Sequence, residues 1–465
     1  MSELSPYLVG DYAPIEQEVA ADGLSVTGEL PADLVGSYVR NGPNAKLDPK
    51  GRYHWFDGDG MLHALRFDGG KASYRNRWVR TAGLAADEQA GAAQWSGLME
   101  TTRDNPKGAP YKDTANTDVS YHNGSLMCLW YICGVPYRVD ANTLETIGPD
   151  TFGRDKPMLV SAHNKVDERT GEMMFFNYGP RPPFMQYGVL GADGALKHLT
   201  DVALPGPRLP HDMAVSENYS ILMDLPVFFR PEAIKQKRWL VDFHRDMPSR
   251  FGILPRHGDG DTVKWFEAEP CYIYHTINAW EEGSEVVMVG CRVRDPIPAM
   301  DPSHGQWARM IANLTITAEL YEWRFDLETG ATKERVLDDR NTEFPAMNNG
   351  MLGQKTRYSY NVALANDPTM RFTALVKYDT DTGAADSYEL GPGRSGSEAV
   401  FAPRPNATGE DDGYVISFVH DGPADRSDVL VFDAQHISRG PVATIALPQR
   451  VPLGFHACWV PGGAQ

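Results

Sequence analysis

Apolar positions in this chain gather in short runs that end after a few residues. SYVRN, EVVMVGCRV and DGYVISFV are representative, and their β-branched and aromatic content reads as strand. Gly 44 and Pro 34 are scattered over the whole length and punctuate these runs. Helical periodicity is scarce. The apolar spacing predicts one substantial helix over residues 230–247, RPEAIKQKRWLVDFHRDM, and shorter ones in APIEQEV, WSGLMETT and HGQWARMIANL.

A unit repeats. WRFDLETGATK, VKYDTDTGAAD and LVFDAQHISRG each close a strand on an aromatic residue followed by aspartate, then turn. Their aspartates Asp326, Asp379 and Asp433 recur at intervals of 53 and 54 residues. Asp and Gly supply the side-chain-to-backbone bonds and the positive φ that such turns need. KVDERTGEMMFF and YRVDANTLETIG read as earlier copies. A period near 50 in an all-β chain points to propeller blades rather than a sandwich. No Pro/Ser-rich linker or charge block divides residues 1–465, so a single β-propeller domain is expected. Its inner strands would bring residues distant in sequence to one axis.

Composition narrows the function. The net charge of −18 and pI of about 5.2 exclude nucleic acid as a partner, since a phosphate backbone would be repelled. Cys128, Cys133, Cys271, Cys291 and Cys458 form no CxxC pair and no disulfide framework, which reads as reduced thiols in a cytoplasmic protein. The N-terminus lacks the basic and apolar regions of a secretion signal, and no run of apolar residues is long enough to span a bilayer. No GxGxxG follows a strand and no GxxxxGK[ST] occurs, so no organic cofactor is expected.

Thirteen histidines occur. His54, His122, His257, His304 and His436 sit in loop-like settings and read as surface residues. His163 in LVSAHNKVD, His211 in RLPHDMAVSENYSILMDLP, His275 in CYIYHTINAWEEG and His456 in VPLGFHACWVPGG lie beside apolar residues, at intervals of 48, 64 and 181. No pair has a local ligand spacing such as HExxH, so each belongs to a different strand. Taken singly, each reads as a core histidine with hydrogen-bonded ring nitrogens. Together, at blade-scale intervals, they read as four imidazoles that an axial metal would satisfy at once. Spacing leaves both readings open.

The segments around these histidines, SAHNK, LPHDMAVSENYSILMDLP, HTINAWEEG and GFHACWV, resemble the iron-ligand segments of the carotenoid cleavage oxygenases. That family includes stilbene- and phenylpropenoid-cleaving enzymes. GSYVRNGPNAKLDPKGRYHWFDGDGMLHALRF is similar to the family's opening strand pair, and EDDGYVISFV and SDVLVFDA to its closing ones. The resemblance implies a seven-bladed β-propeller with a helix-and-loop cap over the active-site face, the cap being inserted at about 85–115, 225–257 and 300–315. It implies one Fe(II) per chain, held by His163, His211, His275 and His456, with Glu343 in TEFPAMN and Glu398 in SGSEAVFAPRP behind the rings. Such carboxylates orient a ligating imidazole and raise its basicity.

One departure stands out. The family's third glutamate belongs in the strand that here reads SLMCLWYICGVPYRVD, where Tyr131 or Ile132 takes its place, and no Asp or Glu occurs between Val119 and Val139. One histidine is therefore expected to donate to a carbonyl or water. Trp130 and Tyr131 fall near the lysine with which stilbene-cleaving members hold a phenol, and WSGLMETTRDNP lacks their upstream tyrosine. Thr117 resembles the residue that screens one open iron position; its other reading is a strand hydroxyl bonded to its own backbone. Thr117, Trp130, Tyr131 and Ile132 are the pocket candidates.

The implied reaction is scission of a conjugated C=C bond of an apocarotenoid-like apolar substrate by O2, giving two carbonyl products, with no catalytic residue beyond the metal centre. Cleavage of a stilbene or phenylpropenoid alkene is the alternative, and a non-oxygenating iron-dependent isomerase or binding propeller a further one. Residues 225–257 combine Phe228, Phe229, Trp239, Leu240 and Phe243 with Lys235, Lys237, Arg238 and Arg245. They read either as an interfacial patch making peripheral membrane contact or as a cap helix over the propeller mouth. Oligomeric state is not legible.

Overall fold

The computed structural model describes residues 4–463. Seven antiparallel sheets of four to six strands succeed one another along the chain as propeller blades. The first blade carries Gly36–Pro43, Gly60–Asp68 and Lys71–Trp78, but its innermost strand, Ala457–Pro461, comes from the other end of the chain. Tyr38 there faces Trp459, and Arg40 faces Ala457. The seventh blade in turn takes Val26–Gly28 as its outer strand, against Ala443–Ala446. Each chain end is thus stitched into a blade built mainly from the other end, which closes the ring.

Burial explains the composition of the runs. The middle strands Glu285–Val293 and Gly413–Asp421 are buried on both faces between neighbouring blades, which is why they read as continuous apolar segments. Outer strands such as Thr332–Asp338 meet solvent and carry charge. Asp326, Asp379 and Asp433 each end the third strand of a blade, and each side chain accepts backbone N–H groups two or three residues on. YRVDANTL occupies the same place in the second blade. KVDERTG does not: Asp167 turns the first strand of its blade into the second, with the same chemistry at a different position.

The helix expected over 230–247 is confined to Pro231–Lys235. Pro231 starts it well, but Lys237 adopts a φ of 56° and breaks it. Beyond that, Trp239, Val241 and Phe243 alternate with a period of two, and Val241–Phe243 pairs with Val227–Phe229 as a hairpin. APIEQEV and WSGLMETT form no α-helix, whereas HGQWARMIANL yields Ala308–Leu314. A further helix, Ala82–Ala90, was signalled by an N-cap and a C-terminal glycine: Thr81 Oγ1 accepts Leu84 N–H, and Gly91 has a φ of 68°.

These pieces lie over one end of the propeller. The segment after the first blade meets the hairpin insert, with Thr102 N–H donating to Lys237 C=O at 2.9 Å. Arg238 Nη2 donates to Met99 C=O at 3.3 Å. Ser249–Pro255 is a strand of the fourth blade, so the insert is shorter than 225–257. Among the described residues no helix is long and apolar enough to cross a membrane.

Candidate metal centre

Each blade's inner strand places one ionisable side chain near the axis. In chain order these are Asp118, His163, His211, His275, Glu343, Glu398 and His456, and all four histidines are buried. The backbone is unusual where they sit. His163 adopts a φ of 64° and Phe344, next to Glu343, a φ of 47°, left-handed conformations that side chains rarely accept. At His275 the ladder between Tyr272–Glu282 and Glu285–Val293 shifts register. His456 is placed by close backbone approach: Asn41 N–H donates to His456 C=O at 2.8 Å, and a Cβ on Gly42 would come within 2.9 Å of Gly454 Cα.

One ligand nitrogen from each of His163, His211 and His275 lies within 4.8 Å of the others. The His456 ring centroid is 4.6 Å from those of both His163 and His275, so the fourth ring belongs to the same group. Burial, followed by the neighbouring histidines, holds the pKa of His163, His211 and His275 well below the ordinary value, so these imidazoles are neutral and their lone pairs free. His163 Nε2 and His275 Nε2 are buried without a hydrogen-bond partner. Orphaned, neutral, converging nitrogens are what a divalent cation of borderline softness requires, and the residues fit one.

The carboxylates follow the ring order. Glu343, in the next blade, hydrogen-bonds His275 Nδ1 and also accepts Phe344 N–H. Burial pushes its pKa up to about 8. Glu398 lies 3.1 Å from His456 Nδ1 and accepts Ala457 N–H. Burial opposes charge on His456, but Glu398 outweighs it and raises that pKa. Asp118 differs: its Oδ2 accepts the backbone N–H of His163 at 2.9 Å and lies 3.6 Å from His163 Nδ1, beyond hydrogen-bond distance.

Asp118, one residue before the stretch that lacks acids, is thus a backbone partner of His163, and the expectation that one ring lacks a carboxylate stands, although a carbonyl or water partner for that ring is not among the described residues. His211 is the ring without one, since both its neighbours around the axis are histidines, and its Nδ1 is buried with no partner. Tyr131 packs there instead, at 4.5 Å between centroids, with Tyr274 on another side at 5.0 Å.

The other pocket candidates scatter. Trp130 points away, toward Asp57, Asp59 and Lys112. Ile132 packs against the core. Thr117 donates its hydroxyl to Asn116 Oδ1 and accepts Tyr131 N–H, a scaffold role. His122 is buried rather than superficial, bonded to Gly171 C=O.

On the cap side, Phe56, Tyr131, Val227, Trp239, Tyr272 and Tyr274 line a cavity, and the rings of Tyr131 and Tyr274 in its wall pack on His211. His54, Leu98, Trp239 and Asn313 also border a second cavity among the three cap segments, which opens near Met300. Tyr272 and Tyr274 were not singled out from sequence. Their alternation in CYIYH, two residues apart and ending on a ligand, was the available signal.

The family model described as retinal pigment epithelial membrane protein matches residues 12–461. The chain is 38% identical to carotenoid 9,10(9',10')-cleavage dioxygenase 1 of Arabidopsis thaliana, over 98% of this chain and 89% of the relative. It is 30% identical to isoeugenol monooxygenase of Pseudomonas nitroreducens, over 98% of each. The crystal structure of Pseudomonas brassicacearum lignostilbene dioxygenase superposes with a TM-score of 0.89 at 29% identity, covering 98% of this chain and 99% of that one. With this match over nearly its full length and a histidine cluster on the propeller axis, the chain belongs to the carotenoid cleavage oxygenase family.

Proposed function

We propose that this oxidoreductase is a non-haem Fe(II) dioxygenase that cleaves a conjugated C=C bond of an apocarotenoid-like substrate with O2, giving two carbonyl products. The observation that carries the reading is an aromatic cavity whose Tyr131 and Tyr274 pack on His211, a member of a buried histidine cluster. His163, His211, His275 and His456 would hold one iron per chain, with Glu343 and Glu398 fixing the rings of His275 and His456 and Asp118 holding the backbone of His163. Bound ferrous iron supplies the one-electron chemistry that makes O2 reactive toward an alkene. This chain's residues supply position. Phe56, Trp239 and Tyr274 give a polyene flat apolar walls and exclude water, and the depth of the cavity sets which double bond rests beside the histidines. No side chain is assigned as an acid or base.

Cleavage of a phenylpropenoid or stilbene is the second reading, favoured by the three phenols Tyr131, Tyr272 and Tyr274 in the cavity wall. A substrate panel separates them. An apocarotenal is expected to be consumed with O2 uptake and two carbonyl products, at least tenfold faster in kcat/KM than resveratrol or isoeugenol, on the order of what a mismatched apolar site loses. Faster turnover of isoeugenol would reverse the assignment, and isomerised substrate without O2 uptake would replace oxygenation by isomerisation.

We propose also that the whole chain acts as one propeller domain, in the cytoplasm, and takes its substrate at an apolar surface. Ile234, Met247 and Met300 on the cap are 40%, 38% and 48% exposed. Arg230 and Arg245 are engaged within the protein, with Asp242 and Asp295, while Lys235 and Lys237 are exposed. The contact is expected to rest mainly on the apolar side chains, with the two lysines adding a smaller, salt-sensitive share. Co-sedimentation with phosphatidylcholine vesicles should persist in high salt and weaken in a Met300→Ser, Ile234→Ser variant. Absence of sedimentation at any salt concentration would leave the cap as a cover alone.

A further inference from the structure

Cavities flank the histidine cluster on two sides, and the two differ in chemistry. Residues that precede the ligands, such as Tyr274 and Leu209, face the aromatic cap cavity. Residues that follow them along the inner strands line a well along the propeller axis. Val119, Ser120, Asn164, Lys165, Thr276 and Ile277, one and two places beyond Asp118, His163 and His275, are among them. The well shares no lining residue with the cap-side cavities.

Its charged side chains are mostly acidic, set among apolar ones such as Val119, Met347 and Trp459. Asp118, Asp212 and Glu398 lie at its inner end and Glu168 at its outer rim, where the side chain is exposed. The one cation of the wall, Lys165, is drawn aside, its Nζ 2.7 Å from Asp212 Oδ1, while Asp212 Oδ2 is bonded to Thr276. Between rim and histidines sits Asn164, only 8% exposed. Its amide N–H donates to Ser120 Oγ at 3.0 Å, and its carbonyl oxygen is buried with no partner among the described residues. An unsatisfied amide oxygen beside a carboxylate-lined passage is a ligand without its cation.

We propose that this axial well is the loading route for the divalent cation, with Glu168 gathering it at the rim and Asn164 Oδ1 passing it to the histidines. The inference rests on the metal-centre reading given above. A hydrated dication entering from the cap would have to shed its water among Phe56, Tyr131 and Trp239, which offer nothing in return. In the well, oxygen ligands replace that water stepwise, and the carboxylates concentrate cations at the rim. The two passages divide the traffic: apolar substrate through the cap, cation through the axis.

Cobalt uptake by the chelator-treated full chain, followed by stopped-flow visible absorption, tests the route. Glu168→Lys is expected to slow uptake about tenfold at low salt, with the difference shrinking as salt rises and the final stoichiometry unchanged. Asn164→Leu should slow it too, and Asn164→Asp, which keeps an oxygen there, should not. Trp239→Ala widens the cap-side approach and should leave the rate as it was. Wild-type rates in both Glu168→Lys and Asn164→Leu would overturn the proposal, as would faster loading in Trp239→Ala. Failure of the unaltered protein to take up any cobalt would remove the metal-centre reading itself, and this route with it.

Discussion

Replacing His211 with alanine is expected to reduce bound iron to background and to abolish alkene cleavage, while the metal-free protein folds and melts almost as before. His211 is one of three rings whose ligand nitrogens lie within 4.8 Å of one another, and no carboxylate stands behind it to be stranded. Its loss removes a buried nitrogen that already lacks a partner, so the apoprotein forfeits ring packing and no hydrogen bond at Nδ1. Binding changes far more, because three imidazoles hold a first-row dication much less tightly than four. Metal analysis after dialysis and a thermal melt of the stripped protein check both halves. Near-stoichiometric iron in the variant would mean that His211 is not a ligand.

The second large effect is expected at Glu343. Its carboxylate holds His275 Nδ1 and Phe344 N–H at once, in a position with no solvent exposure. Glu343→Ala should weaken cobalt or iron binding by about 10- to 100-fold, the usual consequence of freeing a ligating imidazole to rotate. It should also destabilise the apoprotein by about 1–3 kcal/mol through the orphaned Phe344 N–H. Chelator competition gives the first quantity and denaturant unfolding the second. Glu398→Ala should resemble it, since Glu398 spans His456 and Ala457 N–H in the same way. Unaltered metal affinity in both variants would reduce these glutamates to structural bridges.

Particular residues show how far the sequence could be read. The four histidines stood out because each interrupts an apolar run at the start of an inner strand, and the turn aspartates 326, 379 and 433 marked the blade period. Glu343 and Glu398 were legible through family resemblance, not through spacing. Asp118 was missed because a carboxylate's partner is set by which blade lies beside it, and that neighbour is 45 residues away in the chain. Trp130 and Tyr131 are adjacent in sequence, and only the strand's alternation sends one toward Lys112 and the other onto His211. The helix expected over 230–247 failed where a period of two competed with one of three to four and tertiary pairing decided the matter.

By itself, then, the sequence determined what is local and periodic: short strands closed by Asp and Gly turns, an acidic chain unsuited to nucleic acid, and histidines set in apolar strand ends. The tertiary structure decided what depends on closure of the ring: which carboxylate backs which imidazole, why His211 has none, and the separation of an aromatic approach from a polar axial one. The physical reason is that strand period and turn chemistry are written within a few residues, whereas side chains meet on an axis only once the first and last strands of the chain pair.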